Sequence, residues 1–415
     1  MQVITSYRSL NRQSQLIHDY HVGISRGDWF SQNLGDREIL GEARYAYFND
    51  GSINRNEMIG LLRDAKDNMT IDFTELSDLR NIVANAGGLG IADHVRVLTN
   101  KVVNGDIANP RAGIDNFGDL ISRNDSTQME SLIGKWFLGR DRPIAANFDT
   151  NPNLTKSFSY DYRYVSGSLF QNGMSYLDID QGNCGDCYFL ANLAAAVLQS
   201  PTTIENMFID NGDDTFTVRL FNNGVADYVT VDRFLPTNGG QAAYAGWGGG
   251  WNTSADNELW VALAEKAYAQ FNQSGWIGQD GSNSYNGLMG RPDRDGINGG
   301  DAAISLSQIT GLLSERGWAA RSVNNVPIDS RFLNQQITNM IDHFNNGDMV
   351  TINTTAPQAA SGIVGNHVYT LIGYDGAIDQ FRVFNPWNYN DDGMAERWIS
   401  RDQLMDNFNS WNAIA

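Results

Sequence analysis

Cysteine is nearly absent. Two residues in 415, Cys184 and Cys187, cannot build a disulfide framework. A structural zinc site needs two further ligands, and the chain has no second C-x-x-C and no paired-histidine motif. The setting of a thioredoxin-like pair, just after the first strand of a small α/β unit, is not evident, so redox chemistry stays a minor alternative. Positive charge is also scarce, with 29 Lys and Arg against 48 Asp and Glu, a formal net charge of −19. That balance disfavours nucleic acid and anionic membrane as partners and is compatible with divalent cations. No apolar run is long enough to span a bilayer. The first residues, Met1 to Arg8, lack the apolar core of a signal peptide. The expectation is a soluble, cytoplasmic, monomeric protein without an organic cofactor, with signal-less export as the alternative. Prolines number only 9 against 42 glycines, which predicts frequent loops, and no low-complexity tract interrupts the chain.

What is present organises into three stretches. Residues 1–145 read as helical, with Leu76, Leu79, Ile82 and Val83 on one face and Met129, Leu132, Ile133, Trp136 and Phe137 on another. Tyr45 to Glu57 resembles the second half of an EF-hand loop, with Gly51, Ile53 and Glu57 at the turn, hydrophobic and bidentate positions. Ile71 and Glu75 echo that spacing. Against calcium, Ala46 and Phe48 stand where the first acidic ligands belong, and Asn54-x-x-Glu57 and Asp72-x-x-Glu75 are also capping boxes. This stretch is a candidate pro-segment or regulatory domain. Residues 146–320 contain a strongly apolar helix from Tyr188 to Gln199, a hairpin around Asn222-Asn223-Gly224 and a second helix at Asn257–Tyr268. Residues 321–415 shift to strand period at Met349–Ile352, His367–Ile372 and Phe381–Phe384 after a helix over 333–344. The fold class is α+β.

Cys187 falls at the predicted start of the first apolar helix, where unpaired N–H groups and the helix dipole favour a thiolate. Gln181, six residues earlier, carries an amide that a short turn can bring beside the sulfur. A nucleophilic thiol with an adjacent amide donor suits acyl transfer. It also needs a base. Of His18, His21, His94, His343 and His367, only His367 opens a strand. The next strand ends in Asn385-Pro386-Trp387, so antiparallel pairing would set Asn385 beside His367 to orient the imidazole, with Trp387 as a shield from water.

These motifs together resemble the calpain family of papain-like cysteine peptidases. The family's nucleophile motif is similar to Gln181–Leu190, its helix motif to Asn257–Tyr268, and its His and Asn-Pro-Trp blocks to Gly365–His367 and Asn385–Trp387. Val231-Asp232 with Leu235-Pro236 adds to the likeness. The resemblance covers about residues 170–400. It implies a papain-like core of two subdomains, 146–320 carrying the nucleophile and 321–415 carrying His and Asn, preceded by the helical region. It implies an endopeptidase in which Cys187 attacks, His367 is base and acid, Asn385 orients it, and Gln181 with the Cys187 N–H forms the oxyanion hole. Protein or peptide substrates would lie extended between the subdomains. Calcium is implied as well, with Asp178 and Glu258 at acidic positions of one core site. For the second core site, Asn388 stands in place of a glycine and Asp391-Asp392 is a loose counterpart. The alternatives are a catalytically silent module binding calcium or protein, and a thiol transglutaminase, which would incorporate amines.

Overall fold

The capping signals of the first third take their expected forms in the computed structural model, which describes residues 27–66, 69–109, 118–122, 126–147, 158–290, 299–323, 326–354, 362–388 and 393–414. Contacts divide the chain into two units, 1–138 and 139–415. His18, His21, Asp391 and Asp392 lie outside the described residues.

The described part of the first unit is helical: α1 (Trp29–Asn33), α2 (Arg37–Asp50), α3 (Arg55–Asp64), α4 (Phe73–Ala84), α5 (Asp93–Val103) and α6 (Ser126–Trp136). Asp28 and Asp36 cap α1 and α2 through their side chains. Gly51 ends α2 at φ 84°, the left-handed conformation that glycine adopts without a Cβ clash. Both capping boxes form. Glu57 accepts from the Asn54 N–H at 2.9 Å and Glu75 from the Asp72 N–H at 2.5 Å. The two glutamates that suggested EF-hand ligands are therefore occupied as helix caps. Met58, Leu62, Leu79, Ile82, Leu98 and Ile133 are buried in this unit's interior, as their helical spacing predicts.

The second unit is built around α7 (Cys187–Gln199). Its residues from Cys187 through Val197 are all buried, as expected of a helix that is apolar on every side. Short strands precede it: β1 (Ala146–Asn147), β2 (Phe158–Ser159) and β3 (Asp161–Tyr164). After it come α8 (Pro201–Glu205), β4 (Phe208–Asp210), β5 (Thr215–Asn222), β6 (Val225–Asp232), β7 (Phe234–Asn238) and β8 (Gln241–Ala242). The β5–β6 hairpin turns on Asn223 and Gly224, at φ 49° and 80°, the left-handed pair that a two-residue hairpin turn needs. Then follow α9 (Trp260–Phe271), buried along its whole length, and α10 (Ala302–Thr310). Both pack against α7, and Phe189 stacks on Tyr268 with ring centroids 4.0 Å apart.

The remaining elements are β9 (Glu315–Trp318), β10 (Ser322–Val323), β11 (Val326–Pro327), α11 (Ser330–Asn345), β12 (Met349–Thr354), β13 (Val368–Asp375), β14 (Gln380–Phe384), β15 (Glu396–Ser400), α12 (Arg401–Asn407) and β16 (Phe408–Ile414). Six of these strands form one antiparallel sheet in the order β15-β14-β13-β12-β16-β9. Its edge strand β9 begins at Glu315. Ile337 and Met340 of α11 join Ile352, Leu371, Val383 and Trp411 in the core of this sheet. Burying each such side chain contributes roughly 1.5–3 kcal/mol. The sheet also holds α7: Thr370 donates to the Ala191 carbonyl at 2.7 Å, and Thr351 to Asn192 Oδ1 at 3.1 Å. The helix start and the strand start are thereby brought together.

Candidate active site

The turn ahead of α7 is set by close backbone approach. A Cβ on Gly182 would stand 2.2 Å from the Tyr244 carbonyl oxygen, so only glycine fits. Next to it, the Gln181 N–H donates to the Pro386 carbonyl at 2.9 Å, tying the turn to the Asn-Pro-Trp block. The Gln181 side chain is buried. Its amide nitrogen donates to the Cys184 carbonyl at 2.5 Å and faces Asp186 Oδ1 at 3.4 Å, while its Oε1 is buried without a partner.

On the sheet side, Asn366 adopts φ 51° and reverses the chain into His367. Thr354 clamps the His367 backbone, its hydroxyl accepting from the His367 N–H at 2.9 Å and donating to the carbonyl at 3.1 Å. The His367 ring meets Asn385 with Nε2 and Oδ1 2.7 Å apart. Asn385 Oδ1 also accepts from the Trp387 N–H at 3.0 Å. As an acceptor for both, Asn385 selects the tautomer with the proton on Nε2, which leaves Nδ1 as the basic nitrogen. Trp387 lies over the imidazole at 4.8 Å and Tyr369 meets it edge-on at 5.2 Å. Asn388 takes φ 59°, a conformation asparagine tolerates better than most residues, so it replaces a glycine there at little cost.

The start of α7 packs against β13, which begins one residue after His367. The Cys187 sulfur is a hydrogen-bond acceptor for the N–H of Val368, the residue after the histidine. The electrostatics differ from what the helix start suggested. Burial pushes the thiol up to about 12, and the Asp186 charge adds to this; the N–H groups of Val368, Tyr188 and Cys187 pull the other way and do not win. Cys187 is 8% exposed and His367 4%. Burial lowers the imidazole to about 4, opposed by the Asn385 hydrogen bond. In this arrangement both groups are neutral. Desolvation outweighs the helix dipole because a dipole effect of about 0.3–2 kcal/mol is small beside the cost of burying a charge.

Asp178 and Glu258 also come together. Asp178 Oδ2 accepts from the Ser175 N–H at 2.6 Å and from Trp260 Nε1 at 3.3 Å. Glu258 Oε1 accepts from the Gln171 N–H at 2.9 Å, and its backbone bridges to Ser168. Burial, and then repulsion from Asp178, raise Glu258 to about 7 against the Gln171 hydrogen bond; burial raises Asp178 as well. No cationic side chain among the described residues pairs with either. Two half-buried carboxylates, one of them raised by the other, offer oxygen donors of the kind a hard divalent cation takes. His94 and His343 lie elsewhere, on α5 and α11, where His343 Nδ1 pairs with Asp348 at 2.7 Å.

A mixed helix-and-sheet unit with a cysteine at a helix start and a His–Asn pair at the ends of two neighbouring inner strands has the make-up of a thiol peptidase-like domain. A family model described as calpain family cysteine protease matches residues 161–414, more than half of the chain, and the chain belongs to that family. Among its relatives, calpain clp-1 of Caenorhabditis elegans is 26% identical over 257 residues, 59% of this chain and 28% of that protein. Calpain-A of Drosophila melanogaster is 24% identical over 53% of this chain and 25% of its own length. The calpain-1 catalytic subunit of Sus scrofa is 30% identical over 30% of this chain and 18% of its own. The chain thus spans between 18% and 28% of the length of these relatives. Among the described residues, no helix is long and apolar enough to cross a membrane.

Proposed function

We propose that this chain is a calpain-type cysteine endopeptidase with a papain-like division of its second unit, in which Cys187, His367 and Asn385 act as a triad. One observation carries this reading: the sulfur of Cys187 lies on the Val368 N–H while the neighbouring His367 ring is held through Nε2 by Asn385. With Nε2 engaged, His367 Nδ1 takes the thiol proton, and the thiolate attacks the scissile carbonyl carbon. The oxyanion that forms is stabilised by the Cys187 N–H and one N–H of the Gln181 amide. The imidazolium then protonates the departing amine, leaving an acyl-enzyme that water, deprotonated by the same imidazole, hydrolyses. Gln181 must turn one N–H away from the Cys184 carbonyl to take part.

The buried, neutral thiol and imidazole fit a latent state of this enzyme. Calcium held by Asp178 and Glu258 would cancel their repulsion and stiffen the segment that leads into Gln181. The same neutrality also favours a second reading, a silent module that binds calcium or protein. Labelling of the purified protein with a thiol-directed epoxide, with calcium or with chelator, separates the two. Modification at Cys187 that rises with calcium and disappears in Cys187→Ala is the expected result. Absence of labelling and of peptide hydrolysis under reducing conditions, in both calcium and chelator, sinks the peptidase.

A further inference from the structure

Beneath the nucleophile lies a buried acidic pair that the mechanism above does not use. Asp186 is 0% exposed and Glu265, on α9, is 1% exposed. One ligating atom each from Asp186, Glu265 and Cys184 lie within 4.8 Å of one another. Asp186 occupies the N-cap position of α7, where an aspartate ordinarily accepts from the helix's own N–H groups. Here the side chain makes no such bond. It turns toward Glu265 instead and faces the Gln181 amide nitrogen at 3.4 Å. Glu265 Oε2 accepts from the Ala245 N–H at 3.0 Å.

If both acids were ionised, Asp186 Oδ2 and Glu265 Oε1 would be buried acceptors with nothing to accept from. One proton shared between the two carboxyls would give these buried acceptors a partner. The titratable groups facing the pair are Cys184 on the turn, Cys187 and Tyr188 on α7, Tyr268 on α9, and Tyr244 and Tyr285 on the adjoining loops. Cys184 Sγ keeps its proton for the Tyr285 carbonyl, 3.4 Å away, so the cluster is a carboxyl pair and not an ion cage. The neighbouring cation on α9, Lys266, is spent on Asp232 and the Phe234 carbonyl.

We propose, resting on the peptidase reading, that Asp186 and Glu265 share one proton and act as positioning residues that lock the Gln181 amide and the first turn of α7 beneath the oxyanion. The arrangement links three segments, the Gln181–Cys187 turn, the Ala245 loop and α9, through a single O–H···O bond. Burial lifts both acids above the usual carboxylate range, and Asp186 repels ionised Glu265 further. Loss of the shared proton sets two carboxylates against each other under the catalytic turn, so activity should fall reversibly on the alkaline side.

Glu265→Gln tests this, because glutamine donates to Asp186 and cannot ionise. In the full-length chain its kcat/KM at mildly acidic pH should stay within about threefold of wild type, and its alkaline limb should move up by about one pH unit or more. Glu265→Ala should lose about tenfold or more at every pH, the cost of leaving Asp186 unpaired. An alkaline limb unchanged in Glu265→Gln, or full activity in Glu265→Ala, overturns the proposal. Infrared difference spectra give a readout independent of turnover: the C=O stretch of a buried protonated carboxyl, present in wild type and lost in Glu265→Gln. If that band is missing from wild type, the pair does not share a proton. If wild type turns over no peptide, the peptidase reading fails by itself. The pair is then judged by this band and by whether Glu265→Gln shifts the pH dependence of Cys187 alkylation with iodoacetamide. Should Glu265→Gln not fold, Asp186→Asn, whose amide donates to Glu265, takes its place in the same measurements.

Discussion

Three acids of the helical unit and four of the second differ in what answers them. In the helical unit, carboxylates sit where something positive or N–H-bearing meets them. Glu57 and Glu75 close capping boxes, and Glu130 is gripped by Arg63 and Lys66, each at 2.6 Å. The Arg63 hydrogen bond leads in holding Glu130 down at about 2. In the second unit, Asp178, Glu258, Asp186 and Glu265 are all raised, with burial as the leading cause, and among the described residues no lysine or arginine pairs with them. The first arrangement stabilises a fold. The second buries paired carboxyls, one pair next to a candidate nucleophile, whose charge a proton or a cation can offset. The contrast belongs to these acids and not to whole units, since burial also raises Asp78 in the helical unit and the Arg401 hydrogen bond lowers Asp379 in the second.

The most severe break of this contrast is chemical. Cys187→Ala should abolish peptide hydrolysis, and His367→Ala should do so nearly as completely, a loss of about 10⁴-fold or more in kcat/KM. Asn385→Ala should be milder in kcat and should alter the pH profile, since it frees the imidazole to change tautomer. Next is Gly182→Ala, which drives a methyl group into the Tyr244 carbonyl. It should cost several kcal/mol, roughly 2–4, read as a lowered urea midpoint with unchanged m. Third, Glu258→Gln should remove any stabilisation by calcium, which at a hundredfold excess over Kd amounts to about 2.7 kcal/mol in wild type, followed by calorimetry. A calcium shift that survives in Glu258→Gln would place the cation elsewhere.

The smallest effect belongs to the helical unit. Glu130→Gln should lower stability by about 1 kcal/mol or less, as expected of a partly exposed ion pair. Its pH dependence is the sharper reading. Because the native carboxyl is depressed, its contribution is present above the ordinary glutamate range and is lost as pH falls through about 2. The difference between wild type and variant should therefore shrink in acid. For the Asp186–Glu265 pair, whose native carboxyls are raised, the sign reverses. Its contribution is complete below the ordinary carboxylate range and declines as pH rises through the native titration.

Much of this was legible along the chain. The capping boxes at Asn54 and Asp72, the hairpin turn at Asn223-Gly224, the helix starting at Cys187 and the strand following His367 all arise from local preferences. Family membership was legible too, because the motifs around Gln181–Leu190, Asn257–Tyr268 and Asn385–Trp387 lie within the matched stretch, 161–414. The Asp186–Glu265 pair was not legible. Asp186 looks like an ordinary helix cap, and Glu265 is hidden in what reads as an apolar packing stripe. The one available signal was an acid inside a helix with apolar residues on every face.

The sequence by itself determined which side chains stand at turns, helix starts and strand ends, since those depend on backbone preference within a few residues. Only the tertiary structure decided their charge. Packing α7 between the sheet and α9 removes water from Cys187, His367, Asp186 and Glu265 together. Desolvation depends on everything that surrounds a group, so a thiol that its helix would ionise is held neutral by its neighbours.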